Sequence, residues 1–291
     1  MKVAGFSFIR NAIKYDYPIV EAIHSILPLC DYVVVAVGSS DDATLDLVKS
    51  IDPEKIRIVQ TVWNDTLRDG LVLADETNKA FNAIAEDADW CVYIQGDEVL
   101  PEMYHSEIKN AMEKWRNDAN TEGLLLKYRH FYGSYDYVGT ARNWYRNEIR
   151  IIKNDKNIAS FRDAQGFRKN NKKLKVRSVE AFVHHYGWVK HPNIQQNKQR
   201  SMNRYWFENA VVAEKYEQFD AFDYGDVYGL MRFEGEHPKI MQPRIKALNW
   251  TFSFDPTKRK APLKERLSFW IENITGYRIG EYKNYKLIGK A

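Results

Sequence analysis

The residues of this sequence best placed to do chemistry are two adjacent acids at the end of an apolar run. The stretch Asp89-Trp90-Cys91-Val92-Tyr93-Ile94-Gln95-Gly96-Asp97-Glu98-Val99-Leu100-Pro101 is apolar from Trp90 to Ile94, then meets a glycine, two carboxylates and a proline. Such a run predicts a buried strand that delivers acids to the edge of a sheet. In open parallel sheets, ligands bind outside the carboxyl ends of the strands. Adjacent acids beside a small residue suit a hard divalent cation, Mg or Mn, that also holds phosphate oxygens. A solvated acidic turn would use the same residues, so the surrounding elements have to decide.

Those elements alternate. Val3 to Ile9 reads as a strand followed by Arg10-Asn11, and Asp16 to Leu29 has helical spacing with Pro18 in its first turn. Tyr32 to Val37 is a buried strand that closes on Gly38-Ser39-Ser40-Asp41-Asp42, and a helix from Ala43 to Ser50 follows. A third strand, Lys55 to Val62, leads through a loop bearing Trp63 into a helix from about Leu71 to Glu86. Alternation of this kind calls for a parallel sheet with helices on both faces. Beyond Pro101 the pattern changes to a helix over Met103 to Trp115, then short strands. Arg168 to Arg177 reads as a basic hairpin tip, Val179 to Trp188 as a strand carrying His184 and His185, and His191 to about Phe219 as one long helix.

Composition bounds the class. The chain has 291 residues, 44% hydrophobic and 28% charged, which suits a soluble globule rather than a disordered chain. Cys30 and Cys91 lie inside apolar runs and read as reduced core residues, which points to a cytoplasmic compartment and away from a cysteine-built metal site. The first residues form too short an apolar run for a signal peptide, and no stretch approaches a membrane span. From Pro256 onward nine Lys/Arg face three Asp/Glu, although the whole chain carries only +4. A basic tail on a near-neutral body suggests an anionic contact surface.

A first strand ending in Arg-Asn, a second ending in Gly-Ser-Ser-Asp-Asp and a fourth ending in Asp-Glu are carried in that order over residues 1 to 190. In this the chain resembles family 2-like glycosyltransferases of the GT-A fold. The resemblance implies an α/β fold with a Rossmann-like, mostly parallel sheet flanked by helices. It implies a nucleotide-sugar-binding and catalytic domain over 1–190 and a C-terminal helical or irregular extension over 191–291, packed on it and basic from 256. It also implies transfer of a sugar from a nucleotide diphosphate donor to an acceptor hydroxyl, inverting and metal-assisted, in bacterial cell-envelope polysaccharide or glycolipid synthesis.

Carried onto this sequence, the resemblance makes Asp97 a ligand of a divalent metal (Mn or Mg) and His185, rather than His184, its companion. Arg10, Asn11, Ser39, Asp41, Gln95 and Asp97 become contacts of the nucleotide diphosphate sugar, and Asp163 becomes the base, with Glu148 and Asp136 as alternatives. The chain departs from the family pattern in two places. Gln95 stands where a signature aspartate is frequent, and Ala36-Val37 stand where many members carry a nucleotide-contacting aspartate. Both departures suit a non-catalytic nucleotide-sugar-binding module as well. A sugar nucleotidyltransferase would need a glycine-rich loop after the first strand, and Phe8-Ile9-Arg10-Asn11-Ala12 has none. The acceptor would be a saccharide or lipid-linked.

In the tail, Leu263, Leu267, Trp270, Ile271 and Ile274 share one helical face beside Lys264 and Arg266. Such a helix either docks on the catalytic body or lies peripherally on an anionic membrane, at the inner face for a cytoplasmic protein. No nucleic-acid motif accompanies the basic charge, so nucleic acid is not expected as a partner.

Overall fold

The computed structural model describes residues 1–216, 218–225, 227–255, 262–275, 278 and 280–291. Strands β1 (Val3–Ile9) and β2 (Tyr32–Gly38) are buried at every residue, as continuous apolar runs must be when both faces of a sheet are covered. Helices α1 (Ile19–Ile26) and α2 (Thr44–Lys49) lead into β2 and β3 (Ile56–Thr61), and α3 (Leu71–Asn82) leads into β4 (Trp90–Tyr93). The four strands are parallel in the order β3-β2-β1-β4. One face packs Val33 and Val35 against Ile19, Ile23 and Ile26 of α1. The other packs Phe6 and Val34 against Phe81 of α3 and Phe167. The expected α/β arrangement with a mostly parallel central sheet is therefore present.

Past β4 come β5 (Glu98–Val99), α4 (His105–Lys114), β6 (Gly123–Tyr132), β7 (Tyr137–Gly139) and β8 (Asn147–Lys153). Strand β8 inserts antiparallel between β4 and β6. Strands β9 (Ile158–Phe161), β10 (Gly166–Lys169) and β11 (Lys172–Lys173) form a small separate sheet. The basic tip turns at Asn170-Asn171, both left-handed (φ 48° and 62°), the geometry a two-residue hairpin requires. Strand β12 (Lys175–Trp188) runs parallel to β6 and pairs antiparallel with β5.

The long helix expected after His191 is in fact two, α5 (Pro192–Asn203) and α6 (Asn209–Tyr216). The break is local and has a packing cause. Tyr205 turns in to face Trp63 (centroids 5.7 Å apart), and its carbonyl accepts the Gly70 amide at 3.1 Å. The helices expected over 16–29, 71–86 and 103–115 are likewise shorter, with 3₁₀ turns at 27–29 and 102–104. Beyond them lie β13 (Leu230–Arg232), α7 (Gln242–Lys246), α8 (Leu263–Thr275) and β14 (Lys286–Lys290). Strand β14 pairs with β12, so the end of the chain re-enters the main sheet. Residues 256–261 of the basic segment lie outside the described residues. Among the described residues, no helix is long and apolar enough to cross a membrane.

Candidate active site at the strand ends

A cavity of about 870 Å³ lies against the carboxyl ends of β1 to β4. Arg10, Asn11, Asp41, Gln95, Asp97, Asp163 and His185 all line it; Ser39 does not. Ser39 is exposed and offers its carbonyl to Arg10 Nε at 3.0 Å, so its part is to aim the arginine.

Strand register assembles the centre. Strand β5 pairs Glu98 with His185, β6 pairs His130 with His185, and the Tyr186 amide donates to the Asp97 carbonyl at 2.8 Å. Asp97 thus lies beside residues nearly ninety positions later. Lys198 of α5 donates to Asp97 Oδ2 and to the Gly187 carbonyl, both at 3.0 Å, and His185 Nε2 lies 3.7 Å from Asp97 Oδ1. Burial alone would raise the Asp97 pKa, but the Lys198 ammonium bonded to it holds it well below the carboxylate range. Lys190, fully buried, is itself pushed down to about 7 by burial, with Lys198 adding to the shift. Gly187 is required by close approach, since a Cβ there would come within 2.6 Å of Asp97 Oδ2 and 2.7 Å of His185.

The hydrogen-bond chain fixes the tautomer of His185. His130 Nε2 faces the Tyr145 carbonyl at 2.8 Å, which only accepts, so that nitrogen carries the proton. His130 Nδ1 then accepts from His185 Nδ1–H at 3.2 Å. Burial lowers the pKa of both rings, which keeps them neutral. His185 Nε2 is left with a lone pair turned toward Asp97. Two lone-pair donors facing each other across 3.7 Å suit a cation between them. Among the described residues no group of three or more His, Cys, Asp or Glu could hold a metal. Asp97 and His185 therefore fit a divalent ion only if diphosphate oxygens and water complete its shell, as is usual for Mg at phosphate sites. His184, on the opposite face of β12, bonds instead to Arg129 and Tyr186 (both 3.2 Å).

Glu98 corrects the reading of the acids as a cation-binding pair. It is fully buried and takes Arg150 in a bidentate fork (2.9 and 2.7 Å), with Tyr128 Oη donating to it at 2.8 Å and the Gln95 amide at 3.1 Å. Those partners occupy its oxygens. The Gln95 side-chain amide is tied to Tyr93 Oη and the Ala164 carbonyl, both at 3.2 Å. Ala36 is buried inside β2 and contributes packing alone.

At the end of β1, Arg10 reaches Asp65 (3.0 Å) and lies over the Trp63 ring (5.7 Å). Asn11, left-handed at φ 54°, uses its side chain as a tie: Oδ1 accepts the Asp41 amide at 2.8 Å and Nδ2 approaches Asp41 Oδ2 at 3.4 Å. Asp41 also holds Lys14 at 2.8 Å, which lowers its pKa. These residues stitch β1 to β2, and Arg10 lines that wall of the cavity together with Lys14 and Arg68.

Asp163 stands where the large cavity meets a second recess of about 470 Å³, whose lining includes Arg146, Glu148, Tyr282 and Tyr285. Left-handed Arg162 and Ala164 (φ 55° and 62°) flank it, and Gly70 packs so closely that a Cβ there would lie 2.7 Å from the Asp163 Cβ. Burial raises its pKa, opposed by its own and the Gln165 amides. Arg162 rests over Phe161 (5.2 Å). In the same recess Glu148 is pushed up to about 7 by burial and accepts from Asn284 at 2.9 Å.

Sequence reasoning missed Lys198, which lies on a polar helix with no motif around it, and His130, whose only signal is the alternation of β6. Tyr205 and Trp206, which also line the cavity, were hidden inside the expected long helix.

No family model matches the chain, and no curated protein matches it. Among solved structures, S. aureus TarS is similar at 15% identity, over 74% of this chain and 42% of that one, with a TM-score of 0.42. The chain thus spans less than half the length of that relative. A TarS 1–349 structure in complex with UDP gives 14% identity over 75% and 70%, TM-score 0.41. Glucosyl-3-phosphoglycerate synthase from Mycobacterium tuberculosis, in complex with Mn2+, UDP and glucosyl-3-phosphoglycerate, gives 17% over 45% and 45%, TM-score 0.31.

Proposed function

We propose that this chain is a glycosyltransferase that moves a sugar from a nucleotide diphosphate donor to an acceptor hydroxyl, with inversion. Residues 1–190 bind the donor, and 191–291 close the site over it. The observation that carries the reading is the single cavity that gathers Arg10, Asp97, His185 and Asp163 at the carboxyl ends of a parallel sheet. The complexes of TarS with UDP and of the mycobacterial synthase with UDP and Mn2+ are in keeping with it.

In this reading the diphosphate lies between Arg10 and Asp97, and the nucleoside extends toward the Trp63 wall. Asp97 and His185 would hold Mn or Mg, which would supply positive charge beside the diphosphate oxygens. Asp163 takes the acceptor proton as that oxygen attacks the anomeric carbon and the bond to the diphosphate breaks. A carboxyl with a raised pKa is the stronger base once ionised, so the rate should climb with pH through a value above the ordinary carboxylate range. The second recess, opening beside Asp163, receives the saccharide or lipid-linked acceptor. The setting we propose is cytoplasmic assembly of bacterial envelope polysaccharide or glycolipid.

The test is donor hydrolysis with a panel of nucleotide sugars, with Mn and with chelator. The expected result is turnover of at least one donor, reduced about 10²–10⁴-fold in Asp163→Asn. Binding of a nucleotide sugar without any turnover would instead mark a non-catalytic module, which Gln95 in place of an acid also suits.

A further inference from the structure

Helix α8 is fastened to the body by its polar face and shows its apolar face to solvent. Tyr228 donates to Glu265 (2.7 Å), Arg142 to Ser268 Oγ (2.7 Å) and Arg146 to Glu272 (2.8 Å). On the other side Leu263, Leu267, Trp270 and Ile274 are 79%, 61%, 62% and 64% exposed. Their spacing of four, three and four is a single stripe on a 3.6-residue helix. Ile271, which the sequence grouped with them, is half-buried. A surface helix of a soluble protein ordinarily turns its apolar stripe inward, and a contiguous apolar face left outward marks an interaction surface.

Charge identifies what covers it. Lys264 and Arg266 lie in the first turn of this helix, Lys258, Arg259 and Lys260 precede it in the sequence, and Glu265 is the one acid from 258 to 266. The Glu265 carboxylate is engaged by Tyr228. An anionic surface with an apolar interior complements both features, and tryptophan favours the boundary between them.

We propose that α8 docks this protein on an anionic lipid bilayer, lying in the plane of the interface with Leu263, Leu267, Trp270 and Ile274 inserted. Arg142 and Arg146, which hold the helix, also line the second recess, so docking brings that recess to the bilayer. The docking is independent of the sugar-transfer reading, and nucleotide titration in the absence of vesicles reads that separately.

The experiment is sedimentation of the full chain with vesicles of phosphatidylcholine alone or with about 30 mol% phosphatidylglycerol. Partitioning onto the anionic vesicles should exceed that onto neutral ones about tenfold and be lost in about 0.5 M salt. Leu267→Gln with Trp270→Gln should lower it about tenfold while leaving the melting temperature unchanged, since both side chains are exposed. Equal partitioning onto both vesicles, none onto either, or no response to the double substitution would overturn the proposal. So would a wild-type dimer that the double variant turns into monomer, because the stripe would then be an interface between copies.

Discussion

Asp97 and Glu98 are neighbours in the chain, both buried and both beside a cation, yet they belong to two differently finished regions. Glu98 sits in a closed one: Arg150 forks onto it, Tyr128 and the Gln95 amide complete its hydrogen bonds, and it lies within the sheet. Asp97 sits in an open one. Lys198 takes one of its oxygens, and the other faces His185 Nε2 across 3.7 Å at the wall of the cavity. Burial by itself therefore says little about whether an acid works or holds the fold. What separates them is whether every lone pair is spoken for.

The largest effect should come from opening the closed region. Removing one partner of a buried pair leaves an uncompensated charge, so Glu98→Ala should destabilise by about 3–5 kcal/mol in chemical denaturation. The protein that remains folded should still bind nucleotide. Asp97→Asn should act mainly on transfer, which should fall about 10²–10³-fold; it also leaves Lys198 without its carboxylate, so the melting temperature should fall as well, but by less than in Glu98→Ala, whose acid has more partners to lose. If both substitutions unfolded the protein to the same degree, the distinction between the regions would disappear.

Lys198→Met sharpens the contrast further. Asp97 has a depressed pKa in the folded state, so its contribution to stability is present above its unfolded value and is lost only as pH falls through the folded one. Without Lys198, burial raises that folded value. The acid limb of stability should then move to higher pH, readable as melting temperature against pH. The smallest effect concerns Glu148. Its folded pKa of about 7 exceeds the ordinary glutamate value of 4.5, so wild type loses stability as pH rises between those values. Glu148→Gln should remove that slope, and the difference between the two proteins should level off above about pH 7.

How much was legible follows the same division. The β1 to β4 half could be read because β1, β2 and β4 are continuous apolar runs closed by turn residues, β3 alternates as an edge strand does, and strand ends dictate where Arg10 and Asp97 lie. Simple alternation along β12 separated His185 from His184. The fate of Glu98 could not be read, because it depends on β8 inserting antiparallel beside β4 and carrying Arg150 with it. Lys198 reaches Asp97 from 101 residues away, and no local pattern encodes such a contact. The break after Asn203 and the return of β14 to the sheet are likewise tertiary choices, made by Tyr205 against Trp63 and by β12 offering a free edge.

The central claim is that a diphosphate is held between Arg10 and the open side of Asp97. Its most direct test is calorimetric titration of wild type and Asp97→Asn with UDP, GDP, ADP and CDP in the presence of Mn. The account predicts that at least one of the four binds wild type and that its affinity falls about tenfold or more in the variant. Binding that ignores the substitution, or heat from none of the four nucleotides, would contradict it.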